Sequence, residues 1–401
     1  MKIILLVSSM GSGGAERVAS TLVNAWAERG DSVTLVATFS GRGTCFYPVA
    51  SKVGFVYLAD LAGRRRGLLG YLSRFMALRA LIRSSEADVV VSFLTNVNVA
   101  GILASTGLGI PVIACEHNDP SADGRSTFWR LLCRLVYPRA SAVTVLTDNV
   151  VEPFRVMVPG VAHIAVMPNP LPDELFQQTR VAADPAARRR LVSVGRLNPQ
   201  KNYGLLIDTF ASIASEFPQW DLWIWGDGHE RAQLEAQIAQ CSMTGRIVLA
   251  GVTRSVWAEI ARSDAFVMSS RFEGFGLALA ESMALGVPAV AFDCPSGPRQ
   301  LTNDGRDALL VPPGDAQAMA DALRRLLADE HLRAELGRKG AISIRERYSV
   351  RGVMRIWDDL FARVGVHATA APSAQKPADG GAVACAADSS VGANPERGVP
   401  F

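Results

Sequence analysis

Glu273 and Glu281 stand eight positions apart in Glu273-Gly274-Phe275-Gly276-Leu277-Ala278-Leu279-Ala280-Glu281, bracketing a glycine-rich turn that opens an apolar run. Ala265-Phe266-Val267-Met268 leads in as a strand, and Gly276 through Leu285 reads as a buried helix whose first amides lack partners inside the helix. An anion at such a start meets free N–H groups and the positive end of the helix dipole. Phe275, Gly276 and Leu277 would supply that cradle and Glu273 would lie in the loop beside it. Glu281, just over one turn in, could accept hydrogen bonds from vicinal hydroxyls such as those of a ribose. A phosphorylated sugar suits this geometry; the alternative is a loop acid and a solvated helix acid with no shared purpose.

Upstream, Leu191-Val192-Ser193-Val194 runs into Gly195-Arg196-Leu197-Asn198-Pro199-Gln200-Lys201-Asn202. In an open parallel sheet, ligands bind at the carboxyl ends of strands, so Arg196 and Lys201 fall on the same edge as the two glutamates. Arg grips a phosphate bidentately and Lys adds a compact charge, a pair able to neutralise a leaving diphosphate unless both are solvated surface cations. Leu222-Trp223-Ile224-Trp225 ends in Gly226-Asp227-Gly228, where Gly226 and Gly228 either let backbone approach a ligand or form an ordinary turn. His117 also follows a strand, Pro111-Val112-Ile113-Ala114-Cys115, and a lone histidine there is either structural or functional. Near the N-terminus, Gly13 and Gly14 lie between a strand and a helix from Ala15 to Arg29, open to phosphate contact or to close helix packing. Glu16 and Arg17 read as capping and solvating that helix start.

Taken in order, Gly195-Arg196 with Lys201-Asn202, the Gly226-Asp227-Gly228 turn and the double-glutamate motif resemble the retaining nucleotide-sugar glycosyltransferases of family 4. The match runs to about residue 364 and is most specific in the second half. Met10-Gly11-Ser12-Gly13-Gly14-Ala15-Glu16-Arg17 and Glu116-His117-Asn118 are most similar to bacterial enzymes that extend lipid-linked oligosaccharide or exopolysaccharide intermediates. The resemblance implies an α/β GT-B fold, two Rossmann-like domains facing across a cleft, with a C-terminal helix crossing back to the first. It implies a nucleotide diphosphate sugar donor, UDP favoured, and a polyprenyl-diphosphate-linked acceptor, with the donor's anomeric configuration retained. His117 would then lie over the donor sugar, Glu273 would position its hydroxyls, Gly13 and Gly14 would contact the donor diphosphate or the acceptor at the cleft floor, and Asn169 would contact the donor. Family members use the departing phosphate oxygen to take the acceptor proton, so no protein base is required. No Asp-x-Asp metal motif occurs, and no cofactor or metal is expected.

The elements that must position these residues follow from pattern. A chain of 401 residues with 49% hydrophobic content can bury two cores, and strands alternate with helices throughout. The expected organisation is an acceptor-side domain over 1–170, a nucleotide-sugar domain over 186–345, a crossover helix over 346–364 and a disordered tail over 366–401. Val166-Met167-Pro168-Asn169-Pro170-Leu171-Pro172 is the rigid connection, so Asn169 either reaches the donor or shapes the hinge. The six cysteines have no metal-type spacing and read as reduced thiols of a cytosolic protein. No stretch offers ~18 consecutive apolar residues, and Met1 to Val7 reads as a first buried strand rather than a leader.

Arg64 to Arg83 interleaves six arginines with apolar residues and contains no acid. Arg74, Arg79 and Arg83 would face an anionic membrane surface or the acceptor's diphosphate, giving peripheral attachment to the inner face of the cytoplasmic membrane; the alternative is a packed helix with a solvated basic face. Net charge is only +3 and no aromatic platform accompanies the arginines, so nucleic acid is not an expected partner. A nucleotide-sugar epimerase of the same fold and a non-catalytic sugar-nucleotide scaffold are the rival functions. A dinucleotide oxidoreductase would need a glycine fingerprint with a ribose acid, which the chain lacks.

Overall fold

The computed structural model describes residues 1–40, 45–63, 67–120, 124–180 and 188–367. Seven strands build the first sheet: β1 (Lys2–Val7), β2 (Ser32–Ala37), β3 (Gly54–Tyr57), β4 (Val89–Phe93), β5 (Val112–Cys115), β6 (Ala142–Val145) and β7 (Ile164–Val166). Their order is β3-β2-β1-β4-β5-β6-β7, and every pairing is parallel. The second sheet holds β8 (Arg189–Val194), β9 (Trp220–Trp225), β10 (Ile247–Gly251), β11 (Ala265–Met268), β12 (Ala289–Phe292) and β13 (Leu309–Val311) in the order β10-β9-β8-β11-β12-β13, again all parallel. Strands covered on both faces must be apolar at successive positions, which is why Val89-Val90-Val91 and Ala265-Phe266-Val267 read as continuous runs.

Side-chain alternation divides each sheet between two cores. Ile3, Leu5 and Val7 pack on one face with the helix Gly14–Glu28, while Ile4 and Leu6 pack on the other with residues of the helices Gly67–Ser85, Thr95–Ser105 and Thr127–Val136. In both sheets the chain reverses direction of winding beside the first strand, between β1 and β4 and between β8 and β11. Those switch points leave a crevice outside the strand ends, and the two crevices face one another.

The last helix, Val350–Arg363, returns to the first domain, where Trp357 and Phe361 lie 5.4 and 5.9 Å from the Trp26 ring. Full burial of such side chains contributes about 1.5–3 kcal/mol each. Beside it, the amide of Leu171 donates to the Tyr348 carbonyl at 2.8 Å, so the two passages between domains run side by side. Val366, placed by composition in a disordered tail, is buried in the Trp26 core, and its amide donates to the Phe361 carbonyl at 2.8 Å. The rest of that expected tail, 368–401, lies outside the described residues, as do Arg64, Arg65 and Arg66. The five described cysteines are free, and no helix among the described residues is long and apolar enough to cross a membrane.

Candidate functional site

Strand ends of both sheets converge on a cleft of about 540 Å³ lined by Gly13, Gly14, His117, Asn169, Arg196, Lys201, Gly226, Glu273, Phe275, Gly276, Leu277 and Glu281, among others. Two helix starts meet there. Gly13 and Gly276 occupy the N-cap positions of Gly14–Glu28 and Leu277–Ala284, and neither offers a side-chain cap, so the first amides of both helices stay available. At Gly276 φ is +90°, a conformation glycine adopts without strain. The starts touch: a Cβ on Gly14 would come 2.9 Å from Leu277 Cδ1.

On the C-terminal wall the corner formed by Lys201, Glu273 and Ser270 is charged and internally satisfied. Lys201 Nζ donates to Glu273 Oε1 at 2.6 Å, and Ser270 Oγ donates to the same oxygen at 2.6 Å. Lys201 reaches it by passing over Gly195, where a Cβ would fall 2.9 Å from Lys201 Cε. Ser296 fixes the loop from behind, its amide donating to the Glu273 carbonyl at 2.9 Å and its hydroxyl to the Gly274 carbonyl at 3.1 Å. Arg196 is exposed to the cleft, with no acidic partner among the described residues.

The N-terminal wall differs. Burial pushes the His117 imidazole down to about 3, so the ring is neutral at physiological pH. It packs against Phe93 at 4.0 Å, and both of its nitrogens are buried without a hydrogen-bond partner among the described residues. Its backbone carbonyl abuts Gly274 of the opposite wall, where a Cβ would lie 2.1 Å from His117 O. Glu116, adjacent in sequence, turns into the core, where it accepts from Arg125 at 2.9 Å, from Thr95 at 3.1 Å and from Tyr137, anchoring the end of β5. Asn169 is buried at the cleft floor.

Several expected site residues stand elsewhere or act through other atoms. Gly228 does not line the cleft: a Cβ there would sit 2.2 Å from Leu197 O, so its bareness lets two loops of the same domain pack. Gly226 lines the cleft but answers the same need, a Cβ falling 1.9 Å from Gly195 O. The Phe275 ring packs on Tyr348 at 5.2 Å, leaving only its backbone for a ligand. Arg79 donates to the carbonyls of Ala104 and Thr106 at 2.8 Å each, closing the end of the helix Thr95–Ser105 instead of facing outward. Arg74 is half-buried and Arg83 exposed.

The sequence reading missed three features. Arg17, expected in solvent, ion-pairs with Glu281 across the cleft, and the pair leaves Arg17 only 18% and Glu281 only 3% exposed at the side chain. Burial works against the Arg17 charge, but Glu281 and Tyr47 outweigh it and hold the guanidinium above its ordinary value. The helix Thr127–Val136 exposes Phe128, Leu131 and Leu135, spaced three and four apart, beside Arg130 and Arg134. That periodicity is the usual sign of a buried face, which concealed it. The helix Gly67–Ser85 is likewise not divided into one basic and one apolar side, since Leu78 and Ile82 are buried while Leu69, Leu72 and Met76 are exposed.

Comparison with known proteins agrees with this architecture. Residues 177–342 match the family described as Glycosyl transferases group 1, and residues 13–170 match the Glycosyl transferase 4-like domain. An exopolysaccharide phosphotransferase of Streptomyces coelicolor is 27% identical over 88% of this chain, which spans 39% of that protein's length. The Campylobacter jejuni GalNAc-alpha-(1->4)-GalNAc-alpha-(1->3)-diNAcBac-PP-undecaprenol alpha-1,4-N-acetyl-D-galactosaminyltransferase is 27% identical, covering 91% of this chain and 99% of its own. Among solved structures, Anabaena HepE in complex with UDP and glucose superposes with a TM-score of 0.75 at 21% identity, covering 90% of this chain and 100% of HepE, which shows a shared GT-B fold.

Proposed function

The chain belongs to the glycosyltransferases that join these two domains, and from that premise we propose that it moves a hexosyl unit from a nucleotide diphosphate sugar, UDP favoured, to a polyprenyl-diphosphate-linked saccharide with retention. One observation carries the reading: the Lys201–Glu273 pair on one wall faces, across the cleft, a neutral His117 whose nitrogens have no partner among the described residues. Unpartnered buried nitrogens are costly unless a ligand supplies the missing bond.

In this reading the diphosphate lies against the amides at Gly276 and Leu277, with Arg196 and Lys201 neutralising charge as it departs, so that no divalent ion is required. Glu281 takes the ribose hydroxyls, Asn169, Gly13 and Gly14 floor the donor, and Glu273 with His117 holds the sugar. The acceptor oxygen bonds to the anomeric carbon on the face from which the diphosphate leaves, and its proton passes to the departing phosphate oxygen. Closure of the cleft keeps water from competing. The acceptor is met at an anionic membrane surface, the inner face of the cytoplasmic membrane. Arg74 and Arg83 of the expected basic helix support this, as does Arg130 beside exposed Phe128, Leu131 and Leu135.

The test is a panel of UDP and GDP sugars offered with a polyprenyl-diphosphate-linked saccharide, products being read by mass spectrometry and proton NMR. The expected result is one glycosyl addition with the donor's α configuration kept. Transfer with inversion, or interconversion of the donor sugar without transfer, would overturn it.

A further inference from the structure

We infer that Arg17 is a positioning residue for the donor site, a strap from the N-terminal domain that holds one oxygen of Glu281 so that the other is aimed into the cleft. The inference rests on the proposed role of Glu281 in taking the nucleoside's hydroxyls. Arg17 leaves the first turn of the helix Gly14–Glu28, and its guanidinium lies 5.0 Å from the Tyr47 ring and 5.5 Å from the Trp257 ring. One ring belongs to each domain, so the cation is held from both sides. Arg17 donates to Tyr47 Oη at 3.3 Å, and Tyr47 donates onward to the Ser12 carbonyl at 3.0 Å, which ties the assembly to the loop before the helix.

A carboxylate offers about four acceptor positions. The Arg17 contact occupies Oε1 of Glu281, leaving Oε2 for a ligand. Buried pairs are weak stabilisers because desolvation offsets their attraction. The position of this pair, in the lining of the cleft and between domains, therefore points to binding. With the strap in place, nucleotide meets an ionised, oriented acceptor and a closed cleft; without it, Glu281 loses its counter-charge and the walls lose a tie.

The test is a double-mutant cycle on UDP and GDP affinity, measured by calorimetry for Arg17→Met, Glu281→Gln and the double variant, using whichever nucleotide wild type binds more tightly. Each single change should weaken binding by roughly tenfold or more, and the double variant should bind no more weakly than the weaker single. Arg17→Met orphans a buried carboxylate, so Arg17→Lys, which keeps the charge, is carried beside it and should fall between wild type and Met. In turnover, Arg17→Lys should raise the donor KM while kcat changes by no more than about threefold. Wild-type or tighter affinity in a folded Arg17→Met or Arg17→Lys protein, with loss in Glu281→Gln, would overturn the strap alone. Losses that multiply in the double variant would do the same. Wild-type affinity in Glu281→Gln would overturn the reading of Glu281 and the strap with it.

Discussion

On the C-terminal wall of the cleft Glu273 accepts from Lys201 and Ser270 at 2.6 Å each, whereas on the N-terminal wall the His117 ring has both nitrogens buried and unpartnered among the described residues. The Lys201–Glu273 corner of one wall is satisfied before a ligand arrives, by neighbours in the same domain. The other keeps hydrogen-bonding capacity in reserve. An unmet buried polar group costs about 1–3 kcal/mol, so the wall that gains most from a ligand is the one with fewer charges. Electrostatic strength and ligand dependence are thus divided between the two domains.

The largest break in this comparison should come from Lys201→Ala, which removes the charge proposed to neutralise the leaving group and strands Glu273. Transfer rate should fall about 100-fold or more, while the fold persists in circular dichroism. Wild-type turnover would remove Lys201 from the mechanism.

Next comes the opposite wall. His117 titrates at about 3 when folded against an ordinary 6.5, so as pH falls the unfolded chain takes up the proton first. The stability contributed by the neutral ring is whole above pH 6.5 and is lost as pH falls toward 3. Denaturant titrations should show wild type losing about 2 kcal/mol more than His117→Gln between pH 7 and pH 5. Parallel curves would mean that the ring is not held neutral.

Smaller effects separate the arginines of the helix Gly67–Ser85. Arg79→Gln, which loses two bonds to carbonyls, should lower stability by about 1–3 kcal/mol. Arg83→Gln should leave stability within about 0.5 kcal/mol yet weaken sedimentation with anionic liposomes by about 1 kcal/mol at low salt. If the two variants exchanged these phenotypes, the division between a packing and a surface arginine would fail. The smallest effect is expected from EDTA, with rates changed by less than about twofold if, as proposed, Arg196 and Lys201 carry the charge; loss restored by magnesium or manganese would reverse that assignment.

The fold was legible because strands buried on both faces cannot hide their continuous apolar runs, and polar residues soon after them, such as Arg196 and His117, announce themselves at the strand ends. Arg17 was not legible: its partner Glu281 is 264 positions away, and a local pattern shows a charge at a helix start without showing what meets it. Gly228 misled for the reverse reason, since a glycine beside a strand end serves a neighbouring loop as readily as a ligand. Arg79 and Arg83 look alike by spacing and differ only through the carbonyls that the next helix brings. The exposed Phe128, Leu131 and Leu135 carry the periodicity of a core, and only their exposure among the described residues tells otherwise.

The return of the last helix has a consequence for synthesis. Trp26 is fully buried, and two of the rings that pack on it, Trp357 and Phe361, are made more than three hundred positions later. The first domain to leave the ribosome is therefore the last to be completed, and it waits with an open apolar seam while the second domain is translated. Fragments halted before the final helix should bind more of a hydrophobic dye than the whole chain does, and adding a peptide spanning 346–367 should quench that excess. The last helix thus acts as a seal on the first domain.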